Sequence, residues 1–245
     1  YYEFFTTIFY YYTRINILMA KLVAFGDSFT WGTNLKDADH KVPNKHQCVP
    51  CNYSKNTWPA LLADNLKLEY VCRAGQGCGN QTIVRQFFEY LPHINIEDLV
   101  IVNWTWINRW DFYDIDVNRW ETIRPSGTEN SKFKEFYYKY LQSELWDKWE
   151  SLKNIGLVHR ILEQNGIKYI STCIDELVID TTYHAPDYVK HLQNELVDQI
   201  TWFNDQGFFE WSKTNNFKIS NEWHPLEEAH QAAFEYIRDN HDFTK

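Results

Sequence analysis

Residues 21–32 read KLVAFGDSFTWG. Lys21 to Phe25 is a short apolar run of the buried-strand type, and Gly26-Asp27-Ser28 ends it with residues that favour tight turns. A serine on a strand-to-helix turn presents its hydroxyl outward, with backbone N–H groups nearby to receive negative charge. By itself the Gly-Asp-Ser triplet is a weak signal, because an ordinary turn selects the same residues.

Outward from that stretch the pattern repeats. Leu68 to Cys72, Asp98 to Trp104 (DLVIVNW) and Ile167 to Ile174 are further strand-like runs. Thr57-Trp58-Pro59 opens a helix, since Thr suits the N-cap and Pro is tolerated in the first turn. A second helix runs to Tyr90, a long one is predicted over Phe133 to Gln164 ahead of Asn165-Gly166, and Pro225 to Asp239 closes the chain. Strands alternating with helices predict an α/β fold: a parallel sheet with helices on both faces. No repeat or linker divides it, so 19–245 reads as one domain. Reactive groups in such folds collect outside the carboxyl ends of the strands. There lie Ser28, the Gly-rich Ala74 to Asn80, and Thr105 to Arg109, with His224 in the loop before the last helix.

The 245 residues carry 33 acidic and 24 basic side chains, a net charge of -9, with 44% hydrophobic and 18% aromatic residues. That acidic balance argues against nucleic acid or an anionic membrane as partner, because a phosphate lattice needs a basic face. No apolar run is long enough to span a bilayer. Residues 1–18 (YYEFFTTIFYYYTRINIL) are rich in Tyr and Phe and lack the features of a secretory signal. They are expected to be a non-native or disordered leader, with Met19 as initiator and a cytoplasmic or virion-associated location.

Three motifs in order carry a family resemblance. Gly26-Asp27-Ser28-Phe29 resembles the opening block of the GDSL/SGNH hydrolases, with Phe29 in place of the usual Leu. Cys72 to Asn80 (CRAGQGCGN) is similar to the second block, and His224-Pro225-Leu226 to the last. The resemblance covers 19–245 and implies a three-layer, flavodoxin-like sandwich around a central parallel sheet. It further implies Ser28 as nucleophile, His224 as base, and an oxyanion hole from the N–H groups of Ser28 and Gly77. No cofactor is implied.

Two blocks depart from the family. In place of Gly-x-Asn-Asp stands Asn103 to Arg109 (NWTWINR), where Asn108 is the nearest side-chain donor and Thr105 the second; this pattern resembles a divergent, phage-like branch. The family's acid, three residues before the histidine, is replaced by Asn221, with Glu222 two before. Asn221, Glu222 or a backbone carbonyl is left to orient the imidazole. The function implied is a serine esterase acting on a small acyl ester, an O-acetyl group on a polysaccharide foremost. The alternative is a catalytically impaired module that binds glycans or serves a virus particle. The oligomeric state is open.

The five cysteines are Cys48, Cys51, Cys72, Cys78 and Cys173, an odd count that favours reduced thiols. His46, Cys48 and Cys51, with His40 upstream, form a weak zinc candidate, since a lone Cys-x-x-Cys lacks a second ligand pair. Cys78 reads as filler. Trp104, Trp106, Trp110, Trp120, Trp146 and Trp149 crowd the middle third. Exposed rings there would stack on sugars, but Trp146 and Trp149 share a helix face, where packing is the default. Arg109 and Arg119 are candidates for an acidic substrate or for pairing with Asp111 and nearby acids. His230 reads as a packing residue.

Overall fold

A computed structural model describes residues 20–38, 53–125 and 131–243, with the backbone alone at 131 and 132. The leader, Met19, His40, His46, Cys48 and Cys51 lie outside the described residues. In chain order the elements are β1 (Lys21–Phe25), α1 (Ser28–Trp31), α2 (Trp58–Leu66), β2 (Glu69–Cys72), α3 (Asn80–Tyr90) and β3 (Leu99–Trp104). There follow β4 (Trp110–Asp114), β5 (Arg119–Ile123), α4 (Ser131–Phe136), α5 (Glu144–Gln164), β6 (Lys168–Cys173), α6 (Asp187–Leu196), α7 (Phe208–Thr214) and α8 (Glu227–Asn240).

The main sheet has the order β2-β1-β3-β6, and all its pairs are parallel. Beyond β6 a single parallel bridge, Thr172 to Thr201, marks a rudimentary fifth position. This is the strand order of flavodoxin-like, doubly wound folds, as expected. Side-chain alternation explains the two-faced core. Val23, Phe25, Val100 and Val102 pack with Ile83, Phe87, Leu152, Ile155 and Val158 of α3 and α5. Leu22, Ala24, Leu99 and Ile101 face the other way, onto Trp58 and Leu62 of α2, Phe208 of α7, and Ala233 and Ile237 of α8. β3 is buried along its whole length, which accounts for its apolar run Leu99–Val102. Its Asn103 accepts from the Thr172 hydroxyl at 2.9 Å, and the Trp104 indole donates to Ser171 at 2.9 Å. Among the described residues no helix is long and apolar enough to cross a membrane.

The long helix expected over Phe133 to Gln164 is broken. A π-helical turn at Tyr137–Leu141 ends the first piece, and Ser143 caps α5, accepting from the Trp146 N–H at 3.4 Å. The core stripe of α5 then runs through Lys148, Leu152, Ile155, His159 and Leu162. Trp146 lies off that stripe and is 55% exposed, so the packing expected of it fails; Trp149 packs only along the core's edge. The antiparallel hairpin β4–β5 follows the third strand and had no counterpart in the pattern of helices and parallel strands.

Candidate functional site

The carboxyl ends of β1, β2 and β3 and the loop before α8 meet at one cleft of about 740 Å³. Its lining includes Ser28, Gly77, Asn108, Arg109, Glu222 and His224. Residues 196 apart in sequence thus face each other: His224 Nε2 lies 2.9 Å from the Ser28 hydroxyl. That is the spacing of a nucleophile and its base.

The serine side is built from buried groups. Asp27 caps α1, its Oδ1 accepting from the Phe29 N–H at 2.9 Å. Its Oδ2 accepts from the Thr105 hydroxyl and from Arg109 Nη1, each at 2.8 Å. Arg109 also donates to the Cys78 carbonyl at 2.9 Å and lies 4.6 Å over the Trp106 ring. One guanidinium therefore ties together the loops after β1, β2 and β3. Asn80 locks the third loop from behind, accepting from the Thr105 N–H at 2.9 Å and donating to the Thr105 carbonyl at 3.1 Å. Gly26 is required, because a Cβ there would overlap the Thr30 hydroxyl. Gly77 has φ 71°, a left-handed conformation that glycine adopts without strain, and a Cβ there would meet the Arg124 guanidinium at 2.7 Å.

The histidine side is built from loops. His224 Nδ1 lies 2.6 Å from Asn34 Oδ1, in the loop just after α1. Asn34 is itself left-handed at φ 70°, a conformation Asn tolerates better than other non-glycine residues. The direction of its amide is set by its neighbours. Nδ2 donates to the Glu222 carboxylate at 3.3 Å, while Oδ1 accepts from the Ser220 hydroxyl at 3.1 Å. An acceptor therefore faces Nδ1, which holds the imidazole proton there and leaves Nε2 free to accept from Ser28. Burial pushes the imidazole below its ordinary value; Asp27 and Glu222 oppose this, and Arg109 and Arg124 add to it.

These positions correct several expectations. The partner of Nδ1 is neither Asn221 nor Glu222: Asn221 is exposed, and the Glu222 carboxylate hydrogen-bonds Asn34, whose Oδ1 meets Nδ1. Thr105 is spent on Asp27, which leaves Asn108 as the side-chain amide of that loop lining the cleft. Arg109 pairs with Asp27 and not with Asp111, whose carboxylate instead takes the Gly79 N–H, the Thr82 N–H and the Thr122 hydroxyl. Arg119 pairs with Glu121 on the surface. Cys78 is fully buried with its thiol pushed up by burial, and His230 accepts from the Trp58 N–H at 3.3 Å. Sequence reasoning missed Asn34, Gln76, Arg124, Phe209 and Trp223, all of which stand at the cleft or on its histidine. Only Asn34 carried a local signal, an Asn just past a helix-ending glycine.

No family model and no curated protein matches the chain. Solved structures similar to it include a lipolytic protein of the G-D-S-L family from Veillonella parvula: 13% identical, 92% of this chain and 99% of that one covered, TM-score 0.47. A family 2 carbohydrate esterase with a carbohydrate binding domain from Corynascus thermopiles is 15% identical over 90% of this chain and 64% of that one, TM-score 0.47. A family two carbohydrate esterase from Clostridium thermocellum, in complex with cellohexaose, is 14% identical over 90% and 64%, TM-score 0.43.

Proposed function

We propose that this chain is a serine carboxylic-ester hydrolase that removes a small acyl group, acetyl foremost, from a carbohydrate ester. The observation that carries this reading is the 2.9 Å contact between the Ser28 hydroxyl and His224 Nε2, with Nδ1 held by Asn34 at 2.6 Å. His224 takes the Ser28 proton as Oγ attacks the ester carbonyl. The oxyanion is received by the N–H groups of Ser28 and Gly77 and by the Asn108 amide. Among the described residues neither N–H meets an acceptor, which suits donors kept for a substrate. Nε2 then returns the proton to the leaving alcohol, and water, activated by the same imidazole, releases the acyl group from Oγ.

A small acyl group is favoured because the Arg124 guanidinium crowds the cleft beside Gly77. Asn34 replaces the usual acid: it holds the tautomer, and the Glu222 carboxylate supplies negative charge one residue further out. Purified protein should hydrolyse p-nitrophenyl acetate, and Ser28→Ala should remove that activity. If wild type and Ser28→Ala are equally inert across short acyl esters, the chain is a binding or structural module.

A further inference from the structure

Trp223, next to the proposed base, is 65% exposed and has φ 66°. A bulky residue in the left-handed region is strained, and burial does not repay it here. The turn enforces it: the Trp223 N–H donates to the Ser220 carbonyl at 3.0 Å and the Ser220 N–H to the His224 carbonyl at 2.8 Å. The Ser220 hydroxyl also accepts from the N–H groups of Glu222 at 3.2 Å and His224 at 3.1 Å. As a result consecutive side chains part company. His224 turns in toward Ser28, and Trp223 stays out along the cleft, which it lines.

Behind Trp223 stand Phe209, with ring centroids 6.2 Å apart, and then Trp106, 5.8 Å from Phe209. One wall of the cleft is therefore aromatic, while Gln76, Gly77, Asn108 and Arg124 line it with polar groups. An acyl chain filling such a cleft would strip water from the Gln76 amide, while Gly77 and Asn108 are already given to the oxyanion. A sugar ring has both faces the cleft asks for: apolar C–H groups for an indole, and hydroxyls for donors and acceptors.

We infer that Trp223 is the platform on which the alcohol part of the substrate, a pyranose ring, stacks beside the Ser28 hydroxyl. This rests on the esterase reading and names its alcohol. The strain at Trp223 is retained because it sets the indole at the mouth of the site.

The test compares two acetate esters, acetylated cellobiose and ethyl acetate, which lacks a ring. Trp223→Ala should raise KM for the sugar ester about tenfold, a loss at least several-fold larger than on ethyl acetate. Trp223→Phe should recover most of it. Trp223→Gly should melt at or up to about 2 °C above wild type, because the left-handed strain is relieved, while losing the sugar preference. Equal losses on both esters, or a lower melting temperature for Trp223→Gly, would overturn the assignment. Binding of cellotetraose, xylotetraose and chitotetraose to Ser28→Ala, measured by calorimetry, separates the two readings. If the wild type cleaves neither ester but one tetrasaccharide binds and Trp223→Ala abolishes it, the platform stands and the esterase fails. If none binds, the platform fails whatever the esterase does.

Discussion

The two halves of the site are held in opposite ways. On the serine side Asp27, Thr105 and Asn80 are buried, and Arg109 bridges three loops from a side chain 10% exposed. On the histidine side Asn34, Ser220 and Glu222 form a chain of hydrogen bonds between two loops, and Glu222 is exposed. The first half belongs to the sheet's core; the second is laid over it. Damage to the serine side should therefore cost stability, and damage to the histidine side should cost rate with the fold intact. The proposed nucleophile is positioned by buried groups at the strand ends, whereas the proposed base is positioned by hydrogen bonds between two loops.

The largest expected effect is on rate. His224→Ala should lower kcat for p-nitrophenyl acetate by on the order of 10⁴-fold, with urea midpoints near wild type. Arg109→Ala should do the reverse of that pattern. It leaves the Asp27 carboxylate buried without its cation, at a cost of about 3–5 kcal/mol in urea unfolding. If Arg109→Ala is as stable as wild type, the serine side is not the rigid half.

Asn34→Ala should lower kcat by on the order of 10²-fold, since the imidazole loses its tautomer partner, with stability within about 1 kcal/mol. The acid axis separates the halves again. His230 lies in the core, pushed down to about 3 by burial, with His224 second among the causes. Its neutral form therefore stabilises the fold fully above pH 6.5, and that contribution is lost as pH falls toward 3, at about 1.4 kcal/mol per unit. Asp175, pushed up to about 7 by burial, acts in the opposite sense, so the clean quantity is a difference. Between pH 6.5 and 5 wild type should lose about 2 kcal/mol relative to His230→Gln.

Activity answers to the other histidine. Since burial lowers His224 from its ordinary 6.5, the acid limb of kcat/KM should lie below that pH. Glu222→Gln removes a charge that raises the imidazole, so the limb should move further down. The accompanying loss in kcat should be small, about twofold, because Glu222 is exposed and acts through Asn34. An upward move, or none, would show that Glu222 does not act through the imidazole.

What was legible in the chain follows the same division. The runs Lys21–Phe25 and Asp98–Trp104 announced the sheet because burial on both faces favours apolar residues in succession, here Leu22–Phe25 and Leu99–Val102. Ser28, the Ala74–Asn80 run and Thr105–Arg109 could be gathered in advance because the topology sends strand ends to one edge, whereas the roles of Gly77, Asn108 and His224 follow only from the family resemblance. Asn34 carried a local signal for a left-handed turn but none for its contact with His224, which spans 190 residues. The β4–β5 hairpin leaves only a short alternation, Trp110 and Phe112 about Asp111, which a pattern of helices and buried parallel strands does not reveal. The break before α5 was signalled by Ser143 followed by Glu144 and Asp147, a cap with acids in the first turn.

The central claim, that Ser28 is an activated nucleophile, is tested most directly by covalent capture. A fluorophosphonate incubated with the whole chain at pH 7.5 and read by peptide mass spectrometry should leave one adduct, on the peptide holding Ser28. His224→Ala should slow its formation by orders of magnitude. No adduct, or one on another side chain with Ser28 unmodified, would contradict the account.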